Sequence, residues 1–122
     1  MTGNDVIKKA INMLKYNPNE IKNTLMLDVV NDAYAEIYFI ETDESHMDKF
    51  MPLGALTEEI KLSAYALYNC IVYGVCAKLA LSENDADNQV FYAQEFNERK
   101  RALPRGRTSV VDAVPGIEGV EG

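Results

Sequence analysis

"SAYALYNCIVYGVCAKLALS", residues 63–82, is the stretch on which the fold turns. Between Ala64 and Leu81 its only strongly polar side chains are Asn69 and Lys78. A helix on the surface of a small protein needs a polar face opposite its apolar one. A membrane span wants about 20 apolar residues, more than this run supplies. Tyr65, Tyr68 and Tyr73 are also spread through it, whereas tyrosines of a span gather at the membrane interface. The pattern therefore predicts one helix, capped by Ser63, running to about Leu81 and buried on more than one side. A small four-helix domain covers one face of such a helix. The remainder predicts an adjoining subunit, with Ala66, Val72 and Tyr73 at the contact.

Cys70 and Cys76 lie in the same stretch and are the only cysteines. Six residues along a helix is a rise of about 9 Å, beyond the roughly 7 Å that a disulfide tolerates between α-carbons. The two project from different sides and have no further cysteine to complete a zinc site. Packing is the expected role, since a buried free cysteine behaves as a small hydrophobe. No disulfide framework is present, so a reducing compartment during synthesis is expected.

Outward from this core the chain reads as helices. Thr2 and Asp5 have the spacing of a capping box; Ile7, Ala10, Ile11 and Leu14 follow at helical period, and Asn17-Pro18-Asn19 stops the run. A second helix starts near Thr24, with Met26, Val30, Ala33, Ile37 and Ile40 as its apolar stripe. Its end, "EIYFIE", is rich in β-branched and aromatic residues, and an extended segment is expected near Tyr38. Residues 42–62 contain Pro52 and Gly54 and show no period. They read as a long excursion with a short strand around Phe50, of the kind that is usually functional or held by a partner. After the turn at Ser82–Asp85 a fourth helix is expected from about Ala86 to Leu103, with Tyr92, Phe96 and Leu103 on its inner side. Pro104 and Gly106 end it. The expected architecture is all-α: a four-helix bundle over residues 1–104 with a long loop between helices 2 and 3, followed by an extended tail, 105–122. A chain of 122 residues with 48% hydrophobic content suits one such core. The first apolar residues are interrupted by Lys8, Lys9 and Asn12, unlike a signal peptide.

The net charge of −7 argues against nucleic-acid binding over the whole surface, but the charge is uneven. Residues 1–16 carry +2, 17–60 carry −8, and 99–107 carry +5. The last block, Arg99, Lys100, Arg101, Arg105 and Arg107, complements a helix C-terminus. Five cations in nine residues exceed what one helix end needs. They predict an electrostatic dock for an acidic protein surface or a phosphate backbone. Catalysis finds no support. His46 is the lone histidine, set among carboxylates in "DESHMDK", without a nucleophile motif or a phosphate-binding glycine loop. A calcium loop counted from Asp85 places Val90 where glycine is needed and Phe96 where the bidentate glutamate is needed. No catalytic, metal or cofactor residue is predicted, and the facing Glu-x-x-His pairs of a metal-binding bundle are absent.

The order of parts is informative. "LTEEIKLS" leads into "SAYALYNCIVYGVCAKLALSEND", then "NQVFYAQEFNERKRAL" and an extended tail. Over residues 56–103 this layout resembles the tailed-bacteriophage head-tail connector family, the adaptor proteins that ring the underside of the portal. The resemblance rests on pattern and implies a structural protomer without catalytic residues, assembling into a closed ring, usually dodecameric to match the portal. It also implies synthesis in the host cytoplasm and a place in the virion at the head-tail interface. The partners it implies are the portal protein, a tail or stopper protein, and double-stranded DNA that passes through the channel without sequence-specific binding. It implies no membrane partner. In several members the C-terminal segment fixes the ring to the portal. Here that expectation falls on Val110, Val111, Val114, Pro115 and Ile117, with Arg105 and Arg107 meeting carboxylates where the tail begins. Another virion neck or tail-completion protein, or a non-viral helical protein-binding module, would share much of this layout.

Overall fold

Thr2 opens the first helix, α1 (Gly3–Leu14), with a reciprocal capping box: the Thr2 amide donates to Asp5 Oδ2 at 2.9 Å and the Asp5 amide to Thr2 Oγ1 at 3.2 Å. Val6, Ile7, Ala10, Ile11 and Leu14 form its buried face. The helix ends at Lys15, which takes a left-handed conformation with φ of 61°. A 3-10 turn at Pro18–Glu20 leads to α2 (Asn23–Glu41). The later elements are α3 (Ala64–Asn69), α4 (Ile71–Ser82) and α5 (Ala86–Arg101). This computed structural model describes residues 1–42 and 49–104, and the described residues contain five α-helices and no β-strand. The all-α expectation holds, with five helices in place of four.

Two local expectations are corrected. The end of α2 stays helical through Glu41 instead of becoming extended near Tyr38. Aromatic packing overrides local propensity there. Tyr34, Tyr38 and Phe39 close around Phe50, with ring centroids 5.0, 5.2 and 5.6 Å from it. Phe50 belongs to this cluster and to no strand.

The single long helix expected over 63–82 is in fact two, broken at Cys70, whose φ and ψ of −129° and −58° are not helical. The Tyr73 amide there turns back to the Cys70 carbonyl at 3.1 Å, leaving the Asn69 carbonyl without its helical donor. Arg99 supplies one: its Nη1 donates to that oxygen at 3.1 Å. At the other end of α3, Ser63 Oγ accepts from the Ala66 amide as N-cap. Ser63 Oγ also donates to the buried Glu41 carboxylate at 2.5 Å. The last residue of α2 thus holds the first turn of α3.

The core centres on α4, against which α1, α2, α3 and α5 all pack. Ile71, Val72, Val75, Cys76, Leu79 and Ala80 are buried there from three sides, which accounts within one chain for the missing polar face. Burying each large aliphatic side chain contributes on the order of 1.5–3 kcal/mol. The described part of the excursion, 49–62, is likewise held by its own chain. Asn31 clamps Leu53 at two points, its Oδ1 accepting from the Leu53 amide at 2.8 Å and its Nδ2 donating to the Leu53 carbonyl at 3.0 Å. The segment then runs antiparallel to the N-terminus, where the Asn4 amide donates to the Leu56 carbonyl and the Ile60 amide to the Met1 carbonyl. Leu53 and Ile60 are buried.

Candidate functional site

The residues singled out in the sequence separate into internal staples and surface. Ala66 and Val72 are buried inside the protomer, at 0% and 5% exposure, and offer no surface to a second copy. This corrects their expected place at a subunit contact. The reason is that α1, α2 and α5 already enclose α4. Tyr73 is half-buried beneath Arg99, whose guanidinium lies 3.8 Å from the ring centroid.

The basic block is also partly committed. Arg99 stacks on Tyr73, bonds the Asn69 carbonyl and pairs with Glu95 at 3.3 Å. Lys100 lies 2.9 Å from Glu36 Oε1 and 4.4 Å from the Phe96 centroid. Lys78 reaches the other oxygen of the same carboxylate at 2.6 Å. Burial pushes the Glu36 carboxyl upward, but the hydrogen bonds from Lys78 and Lys100 outweigh it and hold the group below the ordinary carboxylate range. One carboxylate of α2 therefore ties α4 and α5 together. Of the three described cations in the expected dock, Arg101 alone is exposed. Arg105, Arg107, Val110, Val111, Val114, Pro115 and Ile117 lie outside the described residues, as does His46.

Cys70 and Cys76 are free, buried thiols. Burial pushes both thiols up to about 12, so neither forms the reactive thiolate at neutral pH. The Cys76 thiol points at the Ala10 carbonyl, 3.8 Å away. Among the described residues no group of His, Cys, Asp or Glu side chains could hold a metal ion. No described helix is long and apolar enough to cross a membrane.

What the sequence reading missed is the apolar surface. Leu81 at the end of α4 is 64% exposed, and Val90 and Phe91 on α5 are 53% and 54% exposed. The signal was present in "VFY", residues 90–92: three consecutive large apolar residues cannot share one face of a helix. Tyr92 takes the inward position, and Phe91 meets its ring edge to face at 4.9 Å while remaining in solvent. Leu81 lies beside Gln89 and Ala93 along the α4–α5 seam, in an open groove of about 200 Å³ that ends at Glu36, Lys78 and Lys100. No protein-family model, curated protein or solved structure matches this chain.

Proposed function

We propose that this chain is a non-catalytic protomer of a head-tail connector ring, seated beneath the portal of a tailed bacteriophage. It extends the DNA channel and presents a docking surface to a tail or stopper protein. The observation that carries the reading is the exposure of Leu81, Val90 and Phe91 on a domain whose core is already closed. Apolar side chains with no task in folding are what an assembly contact uses. The stretch resembling connectors, 56–103, takes in α3, α4 and α5 and therefore these residues. We assign the inter-protomer contact to these exposed side chains instead of to Ala66 and Val72. Portal attachment is assigned to residues 105–122, which offer Val110, Val111, Val114 and Ile117 as small apolar anchors.

Light scattering on the eluting protein, alone and with purified portal, tests the assembly. A ring that forms alone or on the portal is expected, and a chain that stays monomeric in both settings would defeat the reading. Removing residues 108–122 should leave the helical domain folded and abolish its retention on DNA-filled heads. Undiminished occupancy of the truncated chain would take the anchor role away from the tail.

A further inference from the structure

The groove along the α4–α5 seam lies where the described chain ends. Gly74, Ala77, Leu81, Ala93 and Phe96 supply its apolar walls, and Lys100 stands at one end. A second open depression, of about 190 Å³, shares Leu81 and Gln89 with it and continues past Ala80 and Ala86. The two make one trough along the seam. From Lys100 back to Gln89, α5 covers about 17 Å of it. Val90, 53% exposed, stands one helical turn before Ala93 on the α5 wall. An apolar trough that the core leaves open calls for a cover.

Leu103 is buried, and its amide donates to the Lys100 carbonyl at 3.1 Å. The chain therefore departs at Pro104 beside the end of the trough, and residues 105–122 follow. Proline does not continue a helix, and Gly106 admits a reversal of direction. A reversal over 104–106 leaves Arg107 level with Lys100. Extended backbone from Arg107 then spans about 13 Å to Val111 and about 20 Å to Ala113, which brackets Leu81 and Gln89. At the period of two that extended backbone imposes, Val111, Ala113, Pro115 and Ile117 share one side. Asp112 and Glu118 take the other side. That alternation sets apolar side chains into a trough and keeps carboxylates in water.

We propose that in the unassembled protomer residues 107–117 of the same chain lie in this trough and cover Leu81. The tether favours the chain's own tail over a second copy. A short linker holds its segment at an effective concentration on the order of millimolar, above that of a neighbour in dilute solution. The cover is also a device of regulation. In the connector reading the same tail anchors to the portal, and Leu81 meets the adjoining protomer. The tail serves one place at a time, so a portal that takes it uncovers the inter-protomer contact. Ring closure then waits for the portal. This last step rests on the connector reading; occupancy of the trough does not.

A nitroxide on Ser109→Cys in the full-length chain, read by amide NMR in dilute solution, tests the proposal. Cys70 and Cys76 are buried and stay unmodified. The nitroxide should broaden away the amide signals of Leu81, Gln89 and Ala93, while that of Lys8, exposed on α1, stays sharp. Isotopically enriched chain without nitroxide, mixed with spin-labelled chain at natural abundance, should show no broadening. Broadening in that mixture would make a second copy's tail the occupant and overturn the proposal. Val111→Glu with Ala113→Glu should restore the Leu81 and Gln89 signals. Asp112→Asn with Glu118→Gln, on the opposite side of the extended segment, should leave them broadened. The proposal also falls if the Leu81, Gln89 and Ala93 signals stay sharp, if broadening spreads evenly over the surface, or if both tail pairs behave alike. Rings formed without portal, with the trough uncovered, sink this proposal alone. A covered trough on a chain that never assembles on the portal sinks the ring alone.

Discussion

At Gly74 a β-carbon would stand 2.6 Å from the tip of the Phe96 ring and 2.7 Å from its next atom, closer than any real contact. The glycine is there for close approach of α5 to α4, and its helix propensity cost is accepted for that packing. Gly74→Ala should therefore destabilise by about 1–3 kcal/mol. Combined with Phe96→Leu it should cost less than the sum of the two single changes, because the clash has been removed; urea unfolding of the four proteins measures this. A second residue-scale device joins α1 to α5. Tyr16 donates to Asp85 Oδ2 at 2.6 Å, while Asn88 donates to the same carboxylate at the N-terminus of α5. Tyr16 and Asn88 hold the Asp85 carboxyl below its ordinary range, and burial followed by the neighbouring carboxylate raises the Tyr16 phenol. A lowered carboxyl contributes stability above its unfolded value of about 4 and loses it as pH falls through the folded value. Wild type should thus exceed Tyr16→Phe in Tm at neutral pH, by a margin that shrinks as pH drops below about 4. Thermal melts across that range check it, and a constant margin would refute the charged contact.

Among the elements, the excursion after α2 is held most by a single side chain. Asn31 donates and accepts at one backbone residue, Leu53, and so replaces the pairing that a sheet neighbour would give. Asn31→Ala leaves both Leu53 groups unpaired in a partly buried place and should cost about 1–3 kcal/mol. Hydrogen exchange should locate the loss: the Leu53 amide should lose protection while the amides of α4 keep theirs. Uniform loss over the whole chain would mean that the clamp belongs to the global fold. The Glu36 staple should matter less, since its carboxylate is 40% exposed and such pairs are screened by water and salt.

For the whole molecule, the division between a closed core and an apolar surface makes a paired prediction. Leu81→Glu with Phe91→Glu changes exposed positions and should alter unfolding free energy by no more than about 0.5 kcal/mol per site. The proposed ring assembly, read by light scattering, should nevertheless be lost. Val72→Asp puts an unpaired charge into the buried face of α4 and should fail to fold at all, which circular dichroism would register. If the surface pair unfolded the protein, or Val72→Asp folded and merely stayed monomeric, the assignment of core and contact would be reversed.

What the sequence determined by itself is whatever chemistry acts within a turn or two. The Thr2–Asp5 box, the stop at Asn17-Pro18, and the span of α5 between Asp85 and Pro104 are local hydrogen bonds and local prohibitions, and they stand where the residues place them. The buried stripe of α2 follows from its period in the same way. The break at Cys70 was not legible, because no glycine or proline marks it and the donor to the freed Asn69 carbonyl comes from Arg99, thirty residues beyond Asn69. The helical end of α2 depends on Phe50 closing over Tyr34 and Tyr38, which outweighs the extended preference of "EIYFIE". The basic block near residue 100 was visible as charge, but its commitment to Glu36, Glu95 and Asn69 was not, for a charge run carries no record of its partners. Lys9 and Tyr68 illustrate the same limit, being 59 positions apart in the chain and in contact only once α3 has folded beside α1. Only the tertiary structure could decide these, because a contact between distant residues depends on how every intervening element packs.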